Sequence, residues 1–488
     1  MAGIATLRLR PRAHGGFIAA LPTWVAPAAL TLVAAALRFP GLGDQSMWLD
    51  EARTAVIVEQ PGLGEMLDAF GTQSTPPLYH LVLWAWVKVA GAGDFSLRLV
   101  AALAGVATVP VTYLTGLRLS GRRAALVAAA MVATGPLLVY YSQENRPYSA
   151  LALASAGTLL LFLRAREIRS ASAVAAWGAA AVVALGLHYF AAFFLVPQAA
   201  LLVRGVPDRR RLAKLLAPAA VLSLGLAVLA LVQFGRGTTA YVAGQPLAAR
   251  LTEMFHHFTK GAVGVPGAGL GLAAVLLLAG GVILLARADS DERRSAALPL
   301  GVAAAGVLVP LLLIPAGVDL VNYRNLIGVW PLLALGLATG FASRRAGRAG
   351  IVSAVALCLV WAGTALALQG SVAHRREDWR GAAGFVARSP QPRLVVVNPS
   401  YSITPLLRYG PALVQTAPAG TRVSEVAVVS VPGPRNGWPR ALPGLPAFRR
   451  AATWDGVRIA AARYRAVAPQ QAPTLPRPGL YLEPGGPR

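Results

Sequence analysis

Two acidic side chains, Asp50 and Glu51, stand next to each other in QSMWLDEARTA, with Arg53 close behind. A carboxylate can take the proton of an attacking hydroxyl group. Neighbours on a regular element point in different directions, so such a pair can divide labour between base and structural partner. A solvated acidic loop or the first turn of a helix accounts for the same residues, and Trp48 would then be an interfacial anchor. QSTPPLYHLVLW puts Tyr79 and His80 in the first turn of a helix opened by Pro76-Pro77. LLVYYSQENRPYSAL gathers Gln143, Glu144, Asn145 and Arg146 between Tyr140-Tyr141 and Tyr148. Polar groups this dense at the end of an apolar run pair with one another or line a cavity, and we expect them to line one. His188-Tyr189 falls in a turn between two short apolar runs, and His256-His257 in a stretch, 247–260, that reads as an amphipathic helix on a membrane surface. An adjacent histidine pair is not a metal site by spacing. DLVNYRNLIGVWPLLAL places Asp319, Asn322, Tyr323, Arg324 and Asn325 at the start of another run. An arginine there can snorkel, or hold a phosphate through its planar fork.

The elements that must position these groups are membrane helices. The chain has 488 residues and a net charge of +25, yet only 13% of its residues are charged and 56% are hydrophobic. That excludes a disordered chain and argues against an ordinary soluble enzyme. The basic excess is too diluted for a nucleic-acid partner. Cys358 is the single cysteine, so no intrachain disulfide or cysteine metal cage can form. Apolar runs recur at 17–38, 77–92, 98–118, 122–141, 148–164, 172–187, 190–204, 213–234, 268–287, 297–316, 325–343 and 349–369. The first, preceded by Arg8, Arg10 and Arg12, is long and lacks a convincing cleavage site, so it reads as a retained helix. The segment ends at 8–12, 118–123, 164–169, 204–214, 287–294 and 344–348 hold 20 Lys or Arg, against six in the loops 41–76, 142–147, 235–266 and 317–324. By the positive-inside rule the first group is cytoplasmic and the second external. The 41–76 and 142–147 loops both come out external with three runs between them, so the short 77–92 run is expected not to cross fully. The expectation is 11–12 membrane helices.

After residue 370 the composition shifts to 16 Arg, no Lys and five acids, without a further apolar span. HRREDWRGAAGFVARS reads as an amphipathic helix, RLVVVN (393–398) and VAVVSV (426–431) as buried strands. RRAATWDGVRIAAARYRA reads as a hairpin turning at Asp455-Gly456. The organisation expected is an all-α polytopic membrane domain, 1–370, followed by a small extracytoplasmic α/β domain, 371–488.

The order of SMWLDEA, TPPLYH, RLVAALAGVATVPVTYLTGLRLSGRRAAL, YYSQENRPY and YRNLIGVWPLLAL over residues 20–370 resembles the C-type (GT-C) glycosyltransferases. The resemblance is to their bacterial dolichyl-phosphate-mannose-protein-mannosyltransferase-like branch. It implies a multi-pass enzyme of the bacterial cytoplasmic membrane. Such an enzyme takes a sugar, hexosyl or pentosyl, from a polyprenyl-phosphate donor and moves it to an acceptor at the external face. Asp50 matches the family's catalytic acid and Glu51 its second acid. Arg53, His80, Tyr141, Gln143, Glu144, Arg146, His188, Tyr323 and Arg324 are the expected substrate-binding set. No cofactor is required by this reading, and a divalent metal is left open, since Gln73-Ser74-Thr75 stand where relatives carry a charged residue or a histidine. The acceptor is open among protein, glycolipid and polysaccharide. A lipid-linked saccharide flippase or transporter is the alternative. The absence of an internal repeat and the placing of polar clusters at run ends, not mid-span, favour the transferase.

Overall fold

In a bilayer every backbone N–H and C=O must be satisfied within its own segment, which leaves apolar runs no choice but to be helical. The computed structural model describes residues 22–205, 208–237, 240–264, 268–388, 393–410, 413–414, 422–434, 437–471 and 480–482. Within these residues all of the runs are helical. Asp94–Ser120, Tyr148–Ile168, Arg209–Phe234, Gly269–Ala286, Ser290–Ala316 and Gly347–Gly370 are long and apolar enough to cross a membrane. The run at 122–141 is a pair, Arg122–Thr134 and Pro136–Ser142, bent by 53°. Five shorter apolar helices complete the set: Val25–Arg38, Leu78–Ala90, Ala171–Leu187, Ala191–Gly205 and Ile327–Phe341. At 1.5 Å per residue, the 13 residues of Leu78–Ala90 extend about 20 Å, short of a hydrocarbon core of about 30 Å. The start of the first run and Arg8, Arg10 and Arg12 lie outside the described residues. The chain is a multi-pass membrane protein.

The chain divides into two compact units. The first takes in residues up to Pro40, Phe70–Ala85 and Arg98–Leu368; the second takes in Gly41–Ala69, Trp86–Leu97 and the chain from Gln369 on. Residues 41–69 and 86–97 are therefore grouped with the tail. In the helical unit a continuous core runs from Ala34 through Tyr141, Phe162, Trp177, Trp330 and Phe341 to Trp361. Polar helix starts are capped locally: Ser170 accepts from the N–H of Ala173, Asp208 from that of Arg211, and Asp289 with Glu292 forms a capping box.

The second unit is built on a seven-stranded sheet, β1 (Arg393–Asn398), β2 (Leu413–Val414), β3 (Arg422–Ser430), β4 (Ala441–Leu442), β5 (Leu445–Gly456), β6 (Ile459–Gln471) and β7 (Leu480–Leu482). Its order is β2-β7-β1-β3-β6-β5-β4. Among the described residues only β1 and β3 pair in parallel, Val395 opposite Ala427. Helices Trp379–Ala387 and Ile403–Tyr409 cover one face, where Trp379, Phe385, Val395, Val397, Ala427, Val429 and Ala461 pack together. Alternate residues Leu394, Val426, Phe448 and Tyr464 fill the other, as the two-residue period of a strand requires.

Two local expectations are corrected. The helix of HRREDWRGAAGFVARS begins only at Trp379, because the Asp378 side chain caps it by accepting from the N–H of Gly381. The β5–β6 hairpin turns at Val457-Arg458, with Arg458 at φ 57°, while Gly456 is paired with Ile459. Gly456 serves packing instead: a Cβ there would sit 2.3 Å from the Trp454 ring.

Candidate functional site

The polar cluster of the helical unit is assembled from helix ends. Pro76-Pro77 open Leu78–Ala90, and His80, in its first turn, is buried with its ring 5.0 Å from that of Phe70. Its ring nitrogens are buried, with the backbone of Pro76 beside them. Tyr140, Tyr141 and Ser142 end the bent pair, and Gln143, Glu144, Asn145 and Arg146 form the turn into Tyr148–Ile168. Glu144, Asn145 and Arg146 are all buried. Rings link the pieces: Tyr141 lies 4.9 Å from Tyr148 and 6.3 Å from Tyr323, Tyr148 6.0 Å from His188, and His257 stacks on Tyr323 at 3.7 Å. Arg146 is close enough to act electrostatically on both His80 and His188, as are Arg324 and Glu144 on Tyr141.

The tautomer of His188 follows from its surroundings. Its Nδ1 accepts the N–H of Phe190 at 3.2 Å, so a neutral ring carries its proton on Nε2. Burial raises the Tyr323 phenol above its ordinary value, with Tyr141 and Arg324 pulling the other way, so Tyr323 is a hydroxyl donor at neutral pH. Two guanidinium groups, two imidazoles and several phenols collected in this way suit recognition of an oxyanion, above all a phosphate.

Two arginines that the sequence reading left out set this geometry. Arg38, at the end of the first helix, is fully buried. It donates to the carbonyls of Val132 and Ala133 at 3.0 and 2.7 Å, where the bent pair breaks, and to Ser142 Oγ at 3.1 Å. Gln143, expected to bind substrate, donates to the carbonyls of Arg38 and Pro40. Arg250 reaches from helix Leu247–Lys260 to Asp319 through both terminal nitrogens, at 2.7 and 2.6 Å, and to the Val321 carbonyl at 2.8 Å. The other end of that helix is held by Trp361, whose indole donates to the Thr259 carbonyl at 2.8 Å. It stops at Gly261, at φ 85°, where a Cβ would come within 2.4 Å of Pro136. Together these contacts place His257 on one side of Tyr323. The helix at 247–260 was legible in the sequence; the contact of His257 with Tyr323 was not.

The acids belong to the second unit. Trp48 precedes helix Leu49–Val58, and Asp50 and Glu51 lie in its first turn, where carboxylates complement the helix dipole. Asp50 is half-buried and Arg53 exposed. Glu51 is fully buried, 3.3 Å from Nε of Arg376 in the tail. Asp94 accepts from Arg380, Arg408 and the hydroxyl of Tyr409. Burial works against the charge on Arg380, yet the bond and charge of Asp94 outweigh it and raise its pKa. Burial and the same carboxylate push the Tyr409 phenol up to about 12. Arg408 and Tyr409 carried no signal in the sequence beyond a basic tail, while Arg376 and Arg380 lay in the stretch read as an amphipathic helix. Among the described residues no group of three or more His, Cys, Asp or Glu side chains gathers as a metal cluster.

Comparison with known proteins comes to the same fold. The sequence profile described as "Dolichyl-phosphate-mannose-protein mannosyltransferase" matches residues 74–233. The structure of ArnT from Cupriavidus metallidurans in the apo state aligns with a TM-score of 0.58 at 17% identity, covering 90% of this chain and 97% of that one. The structure of the same protein bound to undecaprenyl phosphate aligns at 0.56 and 16% identity, with the same coverage. No curated protein matches in sequence. The chain therefore shares the fold of these structures, and its residues 74–233 carry the sequence pattern of that mannosyltransferase profile.

Proposed function

We propose that the protein transfers a sugar from a polyprenyl-phosphate carrier to an acceptor at the external membrane face. The observation that carries this reading is the gathering of Arg146, His80, His188, Tyr141, Tyr323 and Arg324 at helix ends within an apolar bundle. A carrier confined to the bilayer presents its phosphate at such a depth. A solved structure of the same fold holds undecaprenyl phosphate, which supports a carrier of that class here.

In the proposed reaction the acceptor oxygen attacks the anomeric carbon as the bond from that carbon to the phosphate oxygen breaks. The bonding pair leaves with the lipid phosphate. Asp50 takes the acceptor hydroxyl proton as general base, and Glu51 supports it. Arg146 and Arg324, with His80, stabilise the charge growing on the leaving phosphate. Gln143, Glu144, His188 and Tyr323 line the donor site. Holding donor and acceptor together supplies much of the remaining acceleration. Arg53 is assigned to the acceptor side, in keeping with its exposure on the acid helix.

The test uses purified, full-length protein in lipid nanodiscs and a panel of radiolabelled polyprenyl-phosphate sugars, hexoses and pentoses, with envelope fractions as acceptor. One donor should be consumed by the wild type. Asp50→Asn should lower that rate by about 10²–10⁴-fold with little change in donor binding. Near wild-type transfer by Asp50→Asn would remove the base assignment, and failure of every donor would favour transport.

A further inference from the structure

The acid helix Leu49–Val58 is gripped at both ends by arginines of the tail. At its start, Arg376 pairs with the buried Glu51, and its main-chain N–H donates to Gln45 Oε1 at 2.9 Å. Arg380 donates to the carbonyls of Gly43 and Asp44, at 2.7 and 3.1 Å, and its main-chain N–H to Ser46 Oγ. The Tyr409 hydroxyl accepts from the N–H of Met47 at 2.8 Å. At the helix end Arg408 pairs with Glu59, the residue after Val58, and also with Asp94. Four tail side chains thus hold the acid helix and the loop that leads into it.

We infer that Arg376 is a positioning residue: acting through Glu51, it fixes the rotation of the acid helix and so the direction in which Asp50 points. Consecutive helix residues lie about 100° apart around the axis. A Glu51 carboxylate held inside by a guanidinium therefore determines the azimuth of Asp50. Without Arg376 the buried carboxylate loses the ion pair that holds it from the tail side, which is unfavourable. The helix then turns to bring Glu51 toward water and swings Asp50 away. The consequence for catalysis rests on the reading of Asp50 as base; the rotational setting of the helix does not. The tail becomes part of the machinery of transfer, with Glu51 a structural anchor that never meets substrate.

The experiment compares wild type, Arg376→Gln, Arg376→Lys, Glu51→Gln and Asp50→Asn as full-length proteins in nanodiscs, with the exposed Arg449→Gln as control. It reads kcat and KM on the donor that the panel finds productive, and amide hydrogen exchange over 49–58. Arg376→Gln should lower kcat about 100-fold, the scale of a misplacement of about 1 Å, with KM for donor within about twofold. Exchange over 49–58 should accelerate at least tenfold. Arg376→Lys should restore most of both, and Arg449→Gln should change neither. If Arg376→Gln keeps its kcat within about twofold while Asp50→Asn loses activity, the inference is overturned and the transfer reading stands. If no donor is productive even for the wild type, the transfer reading fails and exchange alone decides. Unchanged protection in Arg376→Gln then overturns the inference, and loss of protection restored by Arg376→Lys supports it.

Discussion

Arg250 and Asp319 show how a single pair determines where a candidate substrate residue sits. The arginine side chain is 3% exposed and the aspartate 15%, and the loop they fix carries Tyr323 and Arg324. Arg250→Ala leaves a nearly buried carboxylate without its partner, so it should cost about 3 kcal/mol and lower the thermal midpoint in nanodiscs. The hydrogen bond from Arg250 holds the Asp319 carboxyl below its ordinary value of 3.8. A depressed carboxylate stabilises the fold above its unfolded pKa and loses that contribution as pH falls through the folded one. The Arg250→Ala deficit should therefore be constant from pH 5 to 8 and shrink only below about 3.9. A deficit that vanished already at pH 6 would place the stabilisation elsewhere. Asp319, Tyr323 and Arg324 were visible in the sequence because polar residues crowd an apolar run. Arg250 was not, because an arginine on the polar face of an amphipathic helix looks like any other and its partner lies 69 positions away.

At the scale of elements, the bent pair Arg122–Thr134 and Pro136–Ser142 does the positioning for Tyr140 and Tyr141. The sequence presents 122–141 as one span, and Pro136 alone did not argue otherwise. Asp94–Ser120 runs unbroken past Pro110, and Ser290–Leu313 past Pro299 and Pro310, since neighbouring groups in a membrane bundle can satisfy what a proline frees. What distinguishes the break at Gly135 is that Arg38 takes up the carbonyls exposed there. That contact spans more than ninety residues and has no local signature. Arg38→Gln should straighten the pair: spin labels at 124 and 140 should move apart, donor binding should weaken at least tenfold, and the acid helix should exchange as before. An unchanged spin-label distance would show that Gly135-Pro136 bends the pair unaided. The hairpin gave the opposite result. Its strands were legible from alternation, but Asp455-Gly456 misdirected the turn by two residues, because that glycine is selected by the Trp454 ring and not by backbone angle.

Across the whole molecule, membrane character and the apolar helices were readable from composition and run length, but of the 11–12 spans expected, six helices, or seven with the bent pair, are long enough among the described residues to cross a bilayer. The grouping of 41–69 and 86–97 with the tail was not readable, because it depends on ion pairs between segments some three hundred positions apart. Arg408 concentrates this long-range dependence, touching Glu59, Asp94 and the Ala92 carbonyl. Arg408→Ala should leave the membrane spans inserted yet open 41–69 and 86–97 together to limited proteolysis. Cleavage confined to the tail would contradict that link.

The buried guanidinium of Arg38 also has a history in time. The carbonyls it needs belong to a helix synthesised about ninety residues later. While the chain is still emerging, an arginine at the end of the first span has no partner in the hydrocarbon and must keep its charge among the headgroups. Only when Arg122–Thr134 enters the bilayer can the first helix settle to its final depth. The helix Val25–Arg38 is thus made before the carbonyls that hold its arginine.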